Sequence, residues 1–225
     1  AMTAIAKAPV AMAAIWKNNT AVQKVQANST AWATFTGAST SVMGKTVAIL
    51  AGLNPDDYAN MTTIAASSTA MAAIIGNSTA LNAVVSSQTA MTAVAASSTA
   101  MAAVAASSTA MQAMYAAAAI TEPILKNSPT AIAAFTAKST TFARKGTWQT
   151  GLNKPAFMLT MKCDYGSISS SKNYAQCGAY KLGTTRRQSD SITKNVEVPM
   201  YGWVTVVEAY FVDSNYTTTV RYITW

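Results

Sequence analysis

Two apolar columns run down the first part of the chain at a spacing of ten residues. The first reads Met2, Met12, Val22 and Trp32, then Met61, Met71, Leu81, Met91, Met101 and Met111, then Ile132. The second lies three residues later: Ile5, Ile15, Val25 and Phe35, then Ile64, Ile74, Val84, Val94, Val104 and Met114, then Phe135. The positions between are mostly Ala, Ser and Thr, and "SSTAMAAVAASSTAM" over 97–111 is the purest stretch. A fixed period of this kind signals a repeat architecture, whose units are stable only against their own copies.

One continuous helix does not fit the period. Ten residues advance about 1,000°, roughly 80° short of three full turns, so the stripe would spiral and never form a face. A β-solenoid with two short sides would space its inward residues five apart, not three, and Ala is a poor strand former. A short helix followed by a break, once per unit, does fit, because residues i and i+3 share one helical face.

The punctuation agrees on where that helix starts. Pro9 and Pro129 share a column, and Pro is favoured at the first helical residue. The preceding column is then the N-cap: Asn18, Asn28, Ser67, Asn77, Ser87, Ser97, Ser107 and Ser128. Asn and Ser are strong caps. Gly37 and Gly76 stand one column earlier, where a helix-ending Gly belongs. Each unit is predicted to be a cap, about eight helical residues and a stop. Helices this short do not survive alone in water, so each must lay its stripe on others. The fold expected over 1–143 is a solenoid-like array of short capped helices. Irregular insertions are expected at about 43–60, where the phase loses a residue, and at 115–128, where it gains one.

From Arg144 the language changes. Ala thins, and Tyr, Val, Thr and Trp take over. "AFMLTMKC" from Ala156, "SITKNVEV" from Ser191, "WVTVVEAYFV" from Trp203 and "YTTTVRYITW" from Tyr216 read as strands. Asp213-Ser214-Asn215 between the last two suggests a hairpin turn. Residues 144–225 are therefore expected to form a small antiparallel β-domain, sandwich-like, giving an α+β chain with its two classes in separate domains.

Charge and chemistry change this picture little. Only 11% of the 225 residues are charged, with net charge +8. Met61 to Ala119 holds no ionised side chain, so the basicity belongs mainly to the second domain. It would suit anionic glycan, lipid or nucleic acid, but a solvated surface explains it as well, and no nucleic-acid partner is expected. No apolar run is long enough to suggest a membrane span. The chain contains no His, so the commonest general base is missing. The eight acids form no arrangement for metal binding or glycoside cleavage, and no catalytic residue, cofactor or metal is assigned. The candidates for a ligand or partner surface are Arg186 and Arg187, able to grip a carboxylate or sulfate, with Tyr201 and Trp203 as a sugar-stacking surface. Cys163 and Cys177 could form one bridge or remain two thiols.

The tandem decapeptides resemble those in structural and tail-fibre proteins of tailed bacteriophages. The likeness covers roughly residues 1–143 and is sharpest at the centre. It implies a virion location, a homo-oligomer (a trimer by analogy), other virion proteins as partners, and a distal domain for docking or for contact with a host-surface glycan. A chain that opens in mid-repeat at Ala1 suits a fragment or a processed protein. The alternative is a bacterial cell-surface adhesin or stalk with a glycan-binding β-domain.

Overall fold

The computed structural model describes residues 1–145, 149–164, 175–182, 186–189, 195–211 and 216–225. The chain is α+β and divides into two compact units, Ala1–Ala131 and Ile132–Trp225. Strand pairing begins at Thr140.

Among the described residues there are thirteen α-helices: α1 (Met2–Ile5), α2 (Pro9–Trp16), α3 (Asn19–Gln26), α4 (Ser29–Thr36), α5 (Thr40–Leu50), α6 (Met61–Ala66), α7 (Ser68–Ile75), α8 (Ser78–Val85), α9 (Gln88–Ala96), α10 (Ser98–Ala105), α11 (Ser108–Ala116), α12 (Ala118–Leu125) and α13 (Pro129–Ala137). Most are eight or nine residues long, one to a decapeptide. Pro9 and Pro129 are first helical residues.

Tertiary packing holds these helices in place. Through the middle of the unit a helix meets its neighbours in sequence and also the helix three along: α5 meets α8, α6 meets α9, α7 meets α10, α8 meets α11 and α9 meets α12. From Met61 to Met114 both apolar columns are no more than 4% exposed. Burying each such side chain contributes about 1.5–3 kcal/mol. Ala70, Ala80, Ala90, Ala100 and Ala110, one before each Met-column residue, are wholly buried as well. With only a methyl group there, the helix backbones can approach closely.

The two stretches expected to be irregular are largely helical. The first is filled by α5 and a 3-10 turn, Pro55–Asp57, capped by Asn54. The Lys45 ammonium on α5 pairs with Asp56 at 3.2 Å. The helix-ending glycine lies here too. Gly52 has φ +75°, and the amide of Leu53 reaches back to the Ala48 carbonyl at 2.9 Å, the pairing of a Schellman stop. Gly37 and Gly76 do occupy C-cap positions, but at φ −87° and −73°, so no left-handed residue is needed there. The second stretch is filled by α12, whose N-cap, Ala117, offers no side-chain hydrogen bond. It is held by buried Thr121, whose hydroxyl donates to the Met114 carbonyl at 2.7 Å.

The second unit is one antiparallel sheet: β1 (Thr140–Lys145), β2 (Gln149–Leu152), β3 (Ala156–Cys163), β4 (Ala175–Tyr180), β5 (Arg186–Ser189), β6 (Val198–Phe211) and β7 (Thr217–Thr224). The order is β1-β7-β3-β6-β4-β5, with β2 also on β6. The hairpin expected between β6 and β7 does not form, because β3 lies between them. Its run Ala156-Phe157-Met158-Leu159 is buried throughout, as suits a central strand. Register shifts between Met158 and Thr160 against both neighbours. The extra residue, Leu159, restores parity: Ala156 and Met158 before it, and Met161 and Cys163 after it, join one core with Val204, Val207 and Val220. Of the stretch "SITKNVEV", residues 191–194 lie outside the described residues; Asn195 sits in a turn at φ +59° and Val198 opens β6. Asp213-Ser214-Asn215 lies outside the described residues.

Candidate functional site

The repeat junctions are where the polar chemistry of the helical unit concentrates. Every residue of the cap column accepts a hydrogen bond from the backbone amide three residues on. The distances are 3.1 Å at Asn18, 2.9 Å at Asn28, 3.2 Å at Ser67, 3.0 Å at Asn77, 3.3 Å at Ser87, 3.2 Å at Ser97, 3.2 Å at Ser107 and 3.1 Å at Ser128. Ser39 and Asn60 cap in the same way outside the column.

Four of these caps have a second role. Asn77 Nδ2 donates to the Leu50 carbonyl at 3.0 Å, Ser87 Oγ to Thr36 at 2.6 Å, Ser97 Oγ to Ala65 at 2.7 Å and Ser128 Oγ to Ala95 at 2.5 Å. Every acceptor lies at or next to the last residue of an earlier helix, where carbonyls lack an intrahelical partner. One side chain thus satisfies a donor at the start of its own helix and an acceptor at the end of another. The sequence signal for the first role was the cap column; nothing in it marks the second.

Shallow uncharged grooves flank the junctions. One of about 500 Å³ has Trp32, Gln88, Ile120, Pro123 and Ile124 in its lining, and a second of about 420 Å³ shares Ile124 with it. Neither lining holds an ionisable side chain, so neither offers acid–base chemistry. Among the described residues no group of three or more His, Cys, Asp or Glu could hold a metal ion. Among the described residues no single helix is long and apolar enough to cross a membrane.

In the sheet unit Trp203 does not join the expected ligand surface. Trp203 is wholly buried. It packs edge-on against Phe157 at 4.9 Å and Trp225 at 5.8 Å, and Phe157 in turn meets Phe135. A ring closed in from both sides has no face for a sugar, so Trp203 is a core residue. Tyr201, two residues earlier, is half-buried. Arg186 and Arg187 lie on β5 at the end of the sheet order, opposite Ala179 and Cys177 of β4. Ala179 in turn faces Val206, so β4 and several residues of β6 separate the arginines from Tyr201. Their side chains lie outside the described residues, as does that of Cys177. Cys163 is a buried thiol on β3, within 3.9 Å of the Thr218 hydroxyl. Cys177 lies on β4, and β6 runs between the two strands.

The described charges of the sheet face centre on Glu197. Its carboxylate accepts from Arg221 Nη2 at 3.1 Å and from the Thr160 hydroxyl at 3.0 Å. Burial pushes the carboxyl up, but the two hydrogen bonds and the charges of Arg221 and Lys162 outweigh it and hold the group below the ordinary glutamate value.

No protein-family model matches the chain, and no curated protein matches it.

Proposed function

We propose that the chain is a structural component of a tailed-phage virion fibre or appendage, with no catalytic role. The decapeptide bricks wind as a solenoid of three helices per turn and serve as the shaft. The sheet unit curls towards closure and serves as the terminal module that docks on another virion protein or on the host surface. Three copies associate in the particle.

The observation that carries this reading is the double use of the cap column. A residue that caps its own helix and also ties down the end of an earlier one makes a unit suited to stacking on copies of itself. That is the economy of a rigid spacer. The half-buried first turn, with Met2, Ile5, Val22 and Val25 in its stripe, leaves a face that suits continuation of the same stacking.

Immunogold microscopy with antibody against the full chain tests the reading on intact phage particles from cultures that carry the gene. Label on a fibre or appendage supports it. Label on the bacterial envelope in the absence of particles would replace it with the adhesin-stalk reading. Sedimentation equilibrium of the purified chain tests the trimer.

A further inference from the structure

We infer that the first three helices form a docking surface for an acidic amphipathic helix of another protein. The inference goes beyond the fibre reading and does not rest on it.

Burial is incomplete in this part of the array. Among the described residues α1 and α3 are the α-helices that bury no residue, although both carry the two-column stripe. Met2, Ile5, Val22 and Val25 are half-buried, whereas the same columns from Met61 to Met114 are closed over. Between them α2 presents an outward face. Val10, Ala14 and Lys17 stand at i, i+4 and i+7, all exposed, and turn away from the buried Met12 and Trp16. Val10 is the most exposed large apolar side chain among the described residues, at 73%. It stands in a column that holds Thr20, Thr30, Thr69 and Thr79 in other units.

The charge indicates what covers this surface. Lys7, Lys17 and Lys24 are all exposed. Lys7 and Lys17 occupy the position before the cap, where other units have Ala27, Ala66 and Gly76. Lys24 replaces the Ala found at Ala14, Ala73 and Ala83. No Asp or Glu precedes Asp56 in the chain, and Asp56 pairs with Lys45. Among the described residues none of the three lysines has an ion-pair partner.

Another decapeptide of this chain is the wrong cover. The bricks from Met61 to Ala119 carry no ionised side chain, so they would leave the three ammonium groups unmatched. Two copies meeting through this surface would set positive against positive. A lipid surface calls for exposed Trp, Phe or Leu, but Trp16, Trp32 and Phe35 pack on one another. A helix with a Val, Ile or Met stripe and Asp or Glu on its flanks supplies both needs. Its stripe packs on the half-buried columns as the bricks pack on each other, and its carboxylates meet the lysines.

The test is fluorescence anisotropy of a labelled, stapled helical peptide of about four turns titrated with the full chain. The peptide carries Val and Ile at i, i+3, i+4 and i+7 and Glu on both flanks. Saturable binding is expected, and neither a scrambled peptide of the same composition nor one with Lys in place of Glu should bind. Affinity should fall about tenfold in the triple variant Lys7→Ala, Lys17→Ala, Lys24→Ala, and severalfold in Val10→Thr. Both place residues of the repeat at exposed positions, and circular dichroism checks that the helices are kept. Should the triple variant misfold, salt replaces it: raising it should weaken binding to the native chain, because exposed charges are screened. No saturable binding of the acidic helix, equal binding of the scrambled peptide, or affinity unmoved by salt and by both variants would overturn the inference. So would preferential binding of phosphatidylglycerol vesicles, which would make the surface a membrane contact.

Discussion

Replacing Asn77 by Asp changes one donor group and one charge while leaving the side-chain shape intact. In the native chain Oδ1 accepts from the Ala80 amide and Nδ2 donates to the Leu50 carbonyl, both at 3.0 Å. The carboxylate keeps the first bond, since Asp caps as well as Asn. Its charge at a helix N-terminus is favourable by about 0.3–1 kcal/mol. It cannot make the second bond. That loss costs about 0.5–1.5 kcal/mol, and leaving the part-buried Leu50 carbonyl without its donor costs roughly 1 kcal/mol more. The balance is a destabilisation of about 1–2 kcal/mol. Asn28→Asp is the control. Its Oδ1 caps Ala31 at 2.9 Å, but its exposed amide group donates to nothing among the described residues, so only the favourable charge term remains. The two substitutions should therefore differ in sign. Native-state hydrogen exchange of the full chain reads this locally. Amides of α5 and α8 should lose roughly five- to thirtyfold in protection in Asn77→Asp, while those of α4 should hold or gain in Asn28→Asp. If both variants behave alike, in either direction, the caps do not tie one helix to another.

Ser97→Ala should cost about 2 kcal/mol and Ser107→Ala about 1 kcal/mol by exchange in α10 and α11, because Ser97 both caps and donates to Ala65 whereas Ser107 only caps; equal losses would remove the second role. Gly44→Ala should lower the thermal midpoint by the equivalent of about 1–3 kcal/mol, since a Cβ at this buried site would stand 2.7 Å from Asn60 Cα. An unchanged midpoint would mean that α5 does not press on that backbone. For Glu197, the folded value lies below the unfolded one, so its stabilising effect is complete above about pH 4.3 and is lost as pH falls through the folded value. Urea midpoints followed by tryptophan fluorescence should drop more steeply between pH 5 and pH 3 in the native chain than in Glu197→Gln, and parallel curves would contradict that origin.

What the chain displays directly is local. Pro9, Pro129 and the Asn/Ser column mark helix starts because capping is settled within four residues, and the i, i+3 stripe marks the buried face because it belongs to one helix. What it hides is the partner. That Ser97 reaches Ala65 depends on where the chain returns about three bricks later, and no residue type signals a return distance. The glycines show the same limit: Gly37, Gly76 and Gly52 all follow a helix, and only the backbone path makes Gly52 left-handed. In the sheet, "AFMLTMKC" is legible as a strand. Its bulge at Leu159 and its place between β6 and β7 are not, because register is fixed by strands far away in sequence. Trp203 misleads for a related reason. Aromatic residues suit a sugar-binding face and a core equally, and Phe157 and Trp225, which pack against it, come from two distant segments.

The account stands on the stacking of separate bricks, and a residue-resolution cryo-EM map of the assembled protein tests it most directly. Over residues 61–116 the map should show six short helices with a break at every cap and each helix resting against the one three further along, α6 on α9, α7 on α10 and α8 on α11. An unbroken rod through those caps, or strands in their place, would contradict it.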